Sequence, residues 1–171
     1  MYVLQVKGGK ENLVKTALQK AGYHALVPIE NRMIRTAGNW TQKEYVLFPS
    51  YVFIETEYNA ENFYKITSME HITRFLGDKF DPSQLTFIEI EWIRLLSNND
   101  KPLEPTVVKF NENNEPCILK GILETFKSRV KSFNKRQRKA IFEMTICNEI
   151  KEITLSIEVI DQSAEKDTSE N

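Results

Sequence analysis

Residues 45–55 read YVLFPSYVFIE, the stretch of highest β propensity in the chain, with Pro49 marking a strand entry or an edge. Side chains alternate across a sheet, so Tyr51, Phe53 and Glu55 fall on one face while Val52, Ile54 and Thr56 fall on the other. Upstream, residues 31–43 are polar, with Ala37-Gly38-Asn39 as a turn signal and flanks able to pair, and they predict a protruding hairpin. Further back, residues 2–6 form a short apolar run of the kind that opens a buried strand. Leu13, Val14, Ala17, Leu18 and Ala21 then follow helical spacing up to a stop at Gly22, and residues 23–29 resume as a strand, so the chain opens β-α-β. Downstream, Asn59 is placed to cap a helix carrying Phe63, Ile66 and Met69, and residues 72–76 predict a short strand. Thr86 followed by Glu89 fits a capping box that opens a helix through Ile90, Ile93 and Leu96. A first domain of mixed α/β type therefore spans 1–97.

Residues 98–106, with Pro102 and Pro105, have the composition of a linker. Beyond them the texture changes to short β-type runs at 107–110, 118–119, 129–133, 139–146 and 153–160, with residues 134–137 as a hairpin connection and no segment that fits a helix. A small all-β barrel over 107–160 is the expectation, because closure spares a short chain exposed edges. The predicted fold class is thus α+β, a mixed α/β domain followed by the barrel. Residues 161–171 contain no apolar run and predict a disordered acidic tail.

The 171 residues are 41% hydrophobic and 27% charged, ordinary globular values. No apolar run reaches the roughly 18 residues a membrane span needs, and the first residues are too briefly apolar for a signal peptide, so a cytoplasmic protein without a membrane partner is expected. Phosphate-loop, nucleophile-elbow, His-Glu-x-x-His and Cys-x-x-Cys patterns are absent from the sequence, and only His24 and His71 are available for histidine chemistry. Cys117 and Cys147 are too few for a disulfide framework or a metal cluster. Carboxylate pairs such as Glu55/Glu57 and Glu89/Glu91 read as solvated surface. The expectation is a protein without catalytic residues, metal or cofactor.

The net charge of −1 argues against a general polyanion binder, but its distribution is uneven. Lys127, Arg129, Lys131, Lys135, Arg136, Arg138 and Lys139 stand together without an acidic residue among them. On a hairpin they would present a cationic strip to phosphate or to an acidic protein, or guard a barrel edge against aggregation. Arg32, Arg35 and Trp40 in the earlier hairpin carry the residue types that stack on and neutralise single-stranded nucleic acid. Phe48, Tyr51 and Phe53 are either core residues or anchors of a partly exposed aromatic face, and periodicity leaves both open.

Taken in order, residues 2–7 (YVLQVK), 25–28 (ALVP), 47–53 (LFPSYVF) and 74–77 (RFLG) resemble the N-terminal (NGN) domain of NusG-type transcription elongation factors, with Phe-Pro-x-Tyr-x-Phe as the most specific string, and the resemblance implies an α/β sandwich with an antiparallel sheet and flanking helices. Gly121, residues 129–131, 134–138, 140–143 and 157–160 resemble the KOW domain, an SH3-like barrel, that follows it in that family. Residues 91–99 and 101–103 are most similar to the LoaP branch of specialised paralogues. The chain departs from the family pattern in lacking a tryptophan at the first strand, in carrying Glu70-His71 for a Pro-Gly, and in having Ser128, Ile122 and Ser156 for glycine, proline and glycine.

The resemblance implies a non-enzymatic, monomeric factor that grips the clamp helices of bacterial RNA polymerase through Phe48, Tyr51 and Phe53 and holds the clamp closed. It implies that Lys20, Arg32, Arg35 and Arg74 face upstream DNA or the nontemplate strand. Recruitment by a nucleic-acid signal, including a nascent RNA hairpin, would use these residues or the Lys127, Arg129, Lys131, Lys135, Arg136 and Arg138 strip. The specialised role is processive antitermination on particular operons. The alternatives are a housekeeping elongation and termination factor whose KOW domain meets Rho or a ribosomal protein, and a KOW protein that binds RNA without polymerase.

Overall fold

In a computed structural model the chain is described over residues 1–160, and the expected acidic tail at 161–171 lies outside the described residues. The elements run β1 (Tyr2–Val6), α1 (Glu11–Lys20), β2 (His24–Leu26), β3 (Ile29–Thr36), β4 (Asn39–Val46), β5 (Tyr51–Glu55), α2 (Ala60–Thr67), β6 (Ile72–Phe75) and α3 (Phe87–Ser97). They continue with β7 (Thr106–Phe110), β8 (Pro116–Lys120), β9 (Val130–Asn134), β10 (Lys139–Ile146) and β11 (Glu149–Ile160). The architecture is α+β, an α/β N-terminal part followed by a β-rich part.

Two compact units make up the chain: residues 1–29, 45–102 and 145–151 form the first, and residues 30–44, 103–144 and 152 onward form the second. The hairpin of β3 and β4, expected within a domain of residues 1–97, thus groups with the β-rich part, and the turn between β10 and β11 groups with the first unit.

The first unit is built on a four-stranded antiparallel sheet in the order β2-β5-β1-β6. Register decides which residues share a face: Leu4 lies opposite Val52 and Tyr2 opposite Ile54, while Val3 lies opposite Phe53. Leu4, Val6, Val52 and Ile54 join Val14 and Leu18 of α1, Ile66 of α2 and Phe75 in one core cluster. Each such side chain contributes about 1.5–3 kcal/mol by leaving water. On the opposite face Val3 and Phe53 are also fully buried, as are Ile93 and Leu96 of α3. The α3 start is the expected capping box, with the Thr86 hydroxyl accepting from the Glu89 amide at 3.3 Å and the Thr86 amide donating to Glu89 Oε2 at 2.7 Å.

The second unit carries a five-stranded sheet in the order β8-β7-β11-β10-β9, in which β7 and β11 run parallel. Phe126 and Phe142 stack at 5.0 Å in its interior beside buried Leu123 and Met144. Residues 122–124 and 127–129 form single 3-10 turns, and the strand expected from Arg129 begins at Val130. Burial of Phe126 ties the chain down just before those basic residues, so extended pairing starts only after them. Gly121, at φ +125°, sits where an added Cβ would lie 2.8 Å from Thr106 Cα, a close backbone approach that only glycine permits.

The stretch expected as a linker is anchored. The Asn31 amide donates to the Leu103 carbonyl at 2.8 Å, Asn31 Nδ2 reaches Glu104 Oε1 at 2.7 Å, and Leu103 is buried.

Candidate functional site

The turn at residues 47–50 delivers the aromatic string to β5, and a buried carboxylate braces it. Glu11, at the first position of α1, accepts from the Ser50 amide at 2.7 Å and the Gly9 amide at 3.2 Å through the same oxygen. Ser50 has φ +67°, a strained conformation for a residue with a Cβ, and its carbonyl accepts from the Val6 amide at 2.8 Å. This clamp sets the direction of the following side chains. Phe48 and Phe53 meet edge to face at 5.2 Å and are buried, whereas Tyr51 is half-buried and reaches the surface. Of the three aromatics, Tyr51 is the accessible one.

Residues 145–151 come up to this face. Lys151 holds its ammonium 5.1 Å from the Tyr51 ring centre and bonds Glu149 at 2.7 Å, and these contacts, Glu149 first and then Tyr51, raise its pKa. The Cys147 amide donates to Glu89 Oε1 at 3.2 Å, and its thiol faces the Ser83 carbonyl at 3.8 Å. Burial, aided by the charges of Glu89 and Glu149, pushes that thiol up to about 11. Phe87 and Ile88 at the start of α3 and Ile150 are exposed apolar residues of the same unit.

Lys20 is exposed in the last turn of α1. Arg74 is engaged locally, donating to Gln5 Oε1 at 2.9 Å and to the Gly77 carbonyl at 3.3 Å. The remaining predicted basic residues belong to the second unit, and their surroundings differ. Lys131 bonds Glu143 at 2.6 Å and Glu152 at 3.0 Å, which raise its pKa and neutralise its charge locally. Arg32 pairs with the buried Glu30 and donates to the Thr154 carbonyl at 3.1 Å, so its guanidinium is committed at the root of the β3–β4 hairpin. Burial pushes the Glu30 carboxyl above the ordinary range, against the Ser156 amide, Arg32 and Lys139, which pull it down.

Lys127 and Arg129 lie in the 3-10 turn before β9 and are exposed. Arg35, Lys135, Arg136 and Arg138 are exposed, and among the described residues no carboxylate forms an ion pair with any of the four. Arg138 lies over the exposed Trp40 ring at 5.5 Å, and Lys135 over Phe110 at 5.4 Å. Sequence reasoning had no means of selecting Glu11, Glu30 or Lys151. Their signal is three-dimensional, a buried carboxylate aimed at a distant amide or an ammonium over a distant ring. Among the described residues no group of three or more His, Cys, Asp or Glu side chains is placed to hold a metal ion, and no helix is long and apolar enough to cross a membrane.

The family described as transcription termination factor NusG matches residues 1–94. The chain is 26% identical over 175 residues to the transcription termination/antitermination protein NusG of Helicobacter pylori, covering 96% of this chain and 97% of that protein. The proteins of the same description from Haemophilus influenzae (32% over 113 residues, 59% of this chain and 61% of that protein) and Campylobacter jejuni (27% over 132 residues, 77% and 74%) are also similar. With the family match extending over more than half of its length, the chain belongs to the NusG family of transcription termination/antitermination factors.

Proposed function

We propose that this protein binds bacterial RNA polymerase through the Tyr51 face of its first unit and acts as a processive antiterminator on specific operons, recruited by a nucleic-acid signal. The observation that carries the polymerase reading is the accessibility of Tyr51 on a turn that Glu11 clamps, within a region matched by the NusG family. Tyr51 makes the contact, while Phe48 and Phe53, buried and edge to face with each other, belong to the interior. Binding that favours the closed clamp lowers the population of opened states that lead to pausing and release, and no covalent step is needed. The specialised role is supported by the LoaP-like residues 91–103 and by the uncompensated cations of the second unit, which a recruitment signal in RNA or DNA would meet.

The test is binding of the purified protein to a bacterial RNA polymerase elongation complex, wild type beside Tyr51→Ala, with circular dichroism to verify folding. A tenfold or greater loss of affinity in the variant is expected, together with terminator readthrough by the wild type on a subset of leader sequences only. Equal binding by the two proteins, or no binding by the wild type with its leader RNA present, overturns the polymerase reading. Readthrough on all templates alike replaces the specialised role with the housekeeping one.

A further inference from the structure

Within the second unit the β3–β4 hairpin and the turn joining β9 to β10 meet, and the meeting point is an arginine on a tryptophan. The hairpin is anchored at its root by Glu30, which accepts the Ser156 amide at 2.8 Å, and by Arg32, which donates to Thr154 in the same strand β11. The turn is equally well defined. Asn134 Oδ1 accepts the Gln137 amide at 2.8 Å, Arg138 adopts φ +52°, and its carbonyl accepts the Ile157 amide at 3.0 Å. Both sides of the junction are therefore tied to β11, and Arg138 is held over Trp40 while 52% of the tryptophan's surface stays open to solvent.

Charge balance singles out this place. Lys131, a few residues away in sequence, is answered by two glutamates, whereas Arg35, Lys135, Arg136 and Arg138 lack any carboxylate partner among the described residues. The Arg138 contact holds a guanidinium and an exposed indole together beside these cations. Flat aromatic and guanidinium surfaces beside unneutralised cations match one ligand chemistry, unstacked bases carried on a phosphate chain.

We propose that Trp40, Arg35, Arg136 and Arg138 form a single binding surface for single-stranded nucleic acid, in which a base stacks on Trp40 and the flanking phosphates are taken by the arginines. Arg138 acts twice, preorganising the indole and meeting a phosphate through the edge of its guanidinium. The two basic regions that lie about a hundred residues apart in the chain are thus one site. This deepens the recruitment part of the proposed function and rests on it. The chemistry is shared by RNA and DNA, and the arms of the test separate them.

The experiment is fluorescence anisotropy of a labelled 12-nucleotide unstructured RNA, and of its DNA counterpart, titrated with the full chain at low salt, without polymerase. Trp40→Ala and Arg138→Ala are each expected to weaken binding by about 5- to 150-fold, the range for loss of one stacked base. The double variant falls short of the product of the two effects, because the residues act as a pair. Trp40→Phe restores most of the affinity, and Arg136→Ala flattens the dependence of log affinity on log salt by roughly 0.7, one phosphate contact on a single strand. Lys131→Ala, which removes an already neutralised cation, changes affinity less than twofold. Preference for the RNA or the DNA strand identifies the source of the signal, and either supports the surface. No binding of either strand by the wild type, or the same affinity in Trp40→Ala and Arg138→Ala as in wild type, overturns it. Because polymerase is absent, failure of the Tyr51 test does not alter this result, and loss here with intact polymerase binding removes the nucleic-acid surface alone.

Discussion

Glu30 Oε2 accepts the backbone amide of Ser156 at 2.8 Å across 126 residues of sequence, and does so from a side chain with almost no solvent exposure. The other carboxylate oxygen pairs with Arg32, so one acid satisfies a buried amide and a largely buried guanidinium together.

Removing that acid leaves both partners stranded. Glu30→Ala is expected to destabilise the protein by about 2–4 kcal/mol, the cost of an unsatisfied buried amide and an orphaned charge. Glu30→Gln retains an acceptor for Ser156 and costs less. Its comparison with wild type also carries the pH dependence. The folded-state value of Glu30 lies above the ordinary 4.5, so its relative contribution is greatest below the unfolded value and is lost as pH rises through the folded one. Urea unfolding of both proteins from pH 4 to pH 8 is therefore expected to show wild type losing ground to Glu30→Gln with rising pH.

Lys151 occupies the ring of Tyr51, the residue proposed to meet polymerase. A cation seated on an aromatic face at a partly exposed site is worth about 0.5–1 kcal/mol, which any partner for that face must displace. Lys151→Ala is expected to tighten association with the elongation complex by about 2- to 5-fold, measured by competition against labelled wild type. Weaker association would place Lys151 in the contact itself.

The Thr86 cap supports α3 at a point where Glu89 also receives the Cys147 amide. Thr86→Ala removes a cap worth about 1 kcal/mol, and a unit of this size then melts about 4–8 °C lower. Differential scanning calorimetry measures it, and a shift much larger than this would mean that Glu89 has lost its place as well.

The two thiols differ in reach. Cys117 is exposed, whereas the Cys147 thiol is half-buried and raised to about 11, so at pH 8 roughly one molecule in a thousand carries its thiolate. Brief alkylation with iodoacetamide followed by peptide mass spectrometry is expected to modify Cys117 well ahead of Cys147.

Gly121→Ala brings a Cβ against the Thr106 backbone at a φ that L-residues rarely adopt, and a loss of about 2–4 kcal/mol is expected in urea unfolding. An effect below about 1 kcal/mol would mean that β7 gives way at little cost.

Much of the architecture could be read from local patterns. The Thr86/Glu89 box, the alternation through residues 51–55, the 3.6-residue spacing before Gly22 and the punctuated β runs after residue 106 are short-range effects, and α1, α3, β5 and the strands β7 to β11 follow them. The candidate site was legible as a set of residue types, the aromatic string and two basic stretches, but without their environment. Tertiary structure alone decided that Phe48 and Phe53 are buried while Tyr51 emerges, that Lys131 is neutralised by Glu143 and Glu152, and that Arg32 is committed to Glu30. It also decided that residues 30–44 join the β-rich unit and that Trp40 meets Arg138. The physical reason is common to all of these. Helix caps and strand alternation depend on neighbours within a few residues, whereas burial, charge compensation and stacking depend on which distant segments pack together, and composition and periodicity hold no record of that pairing.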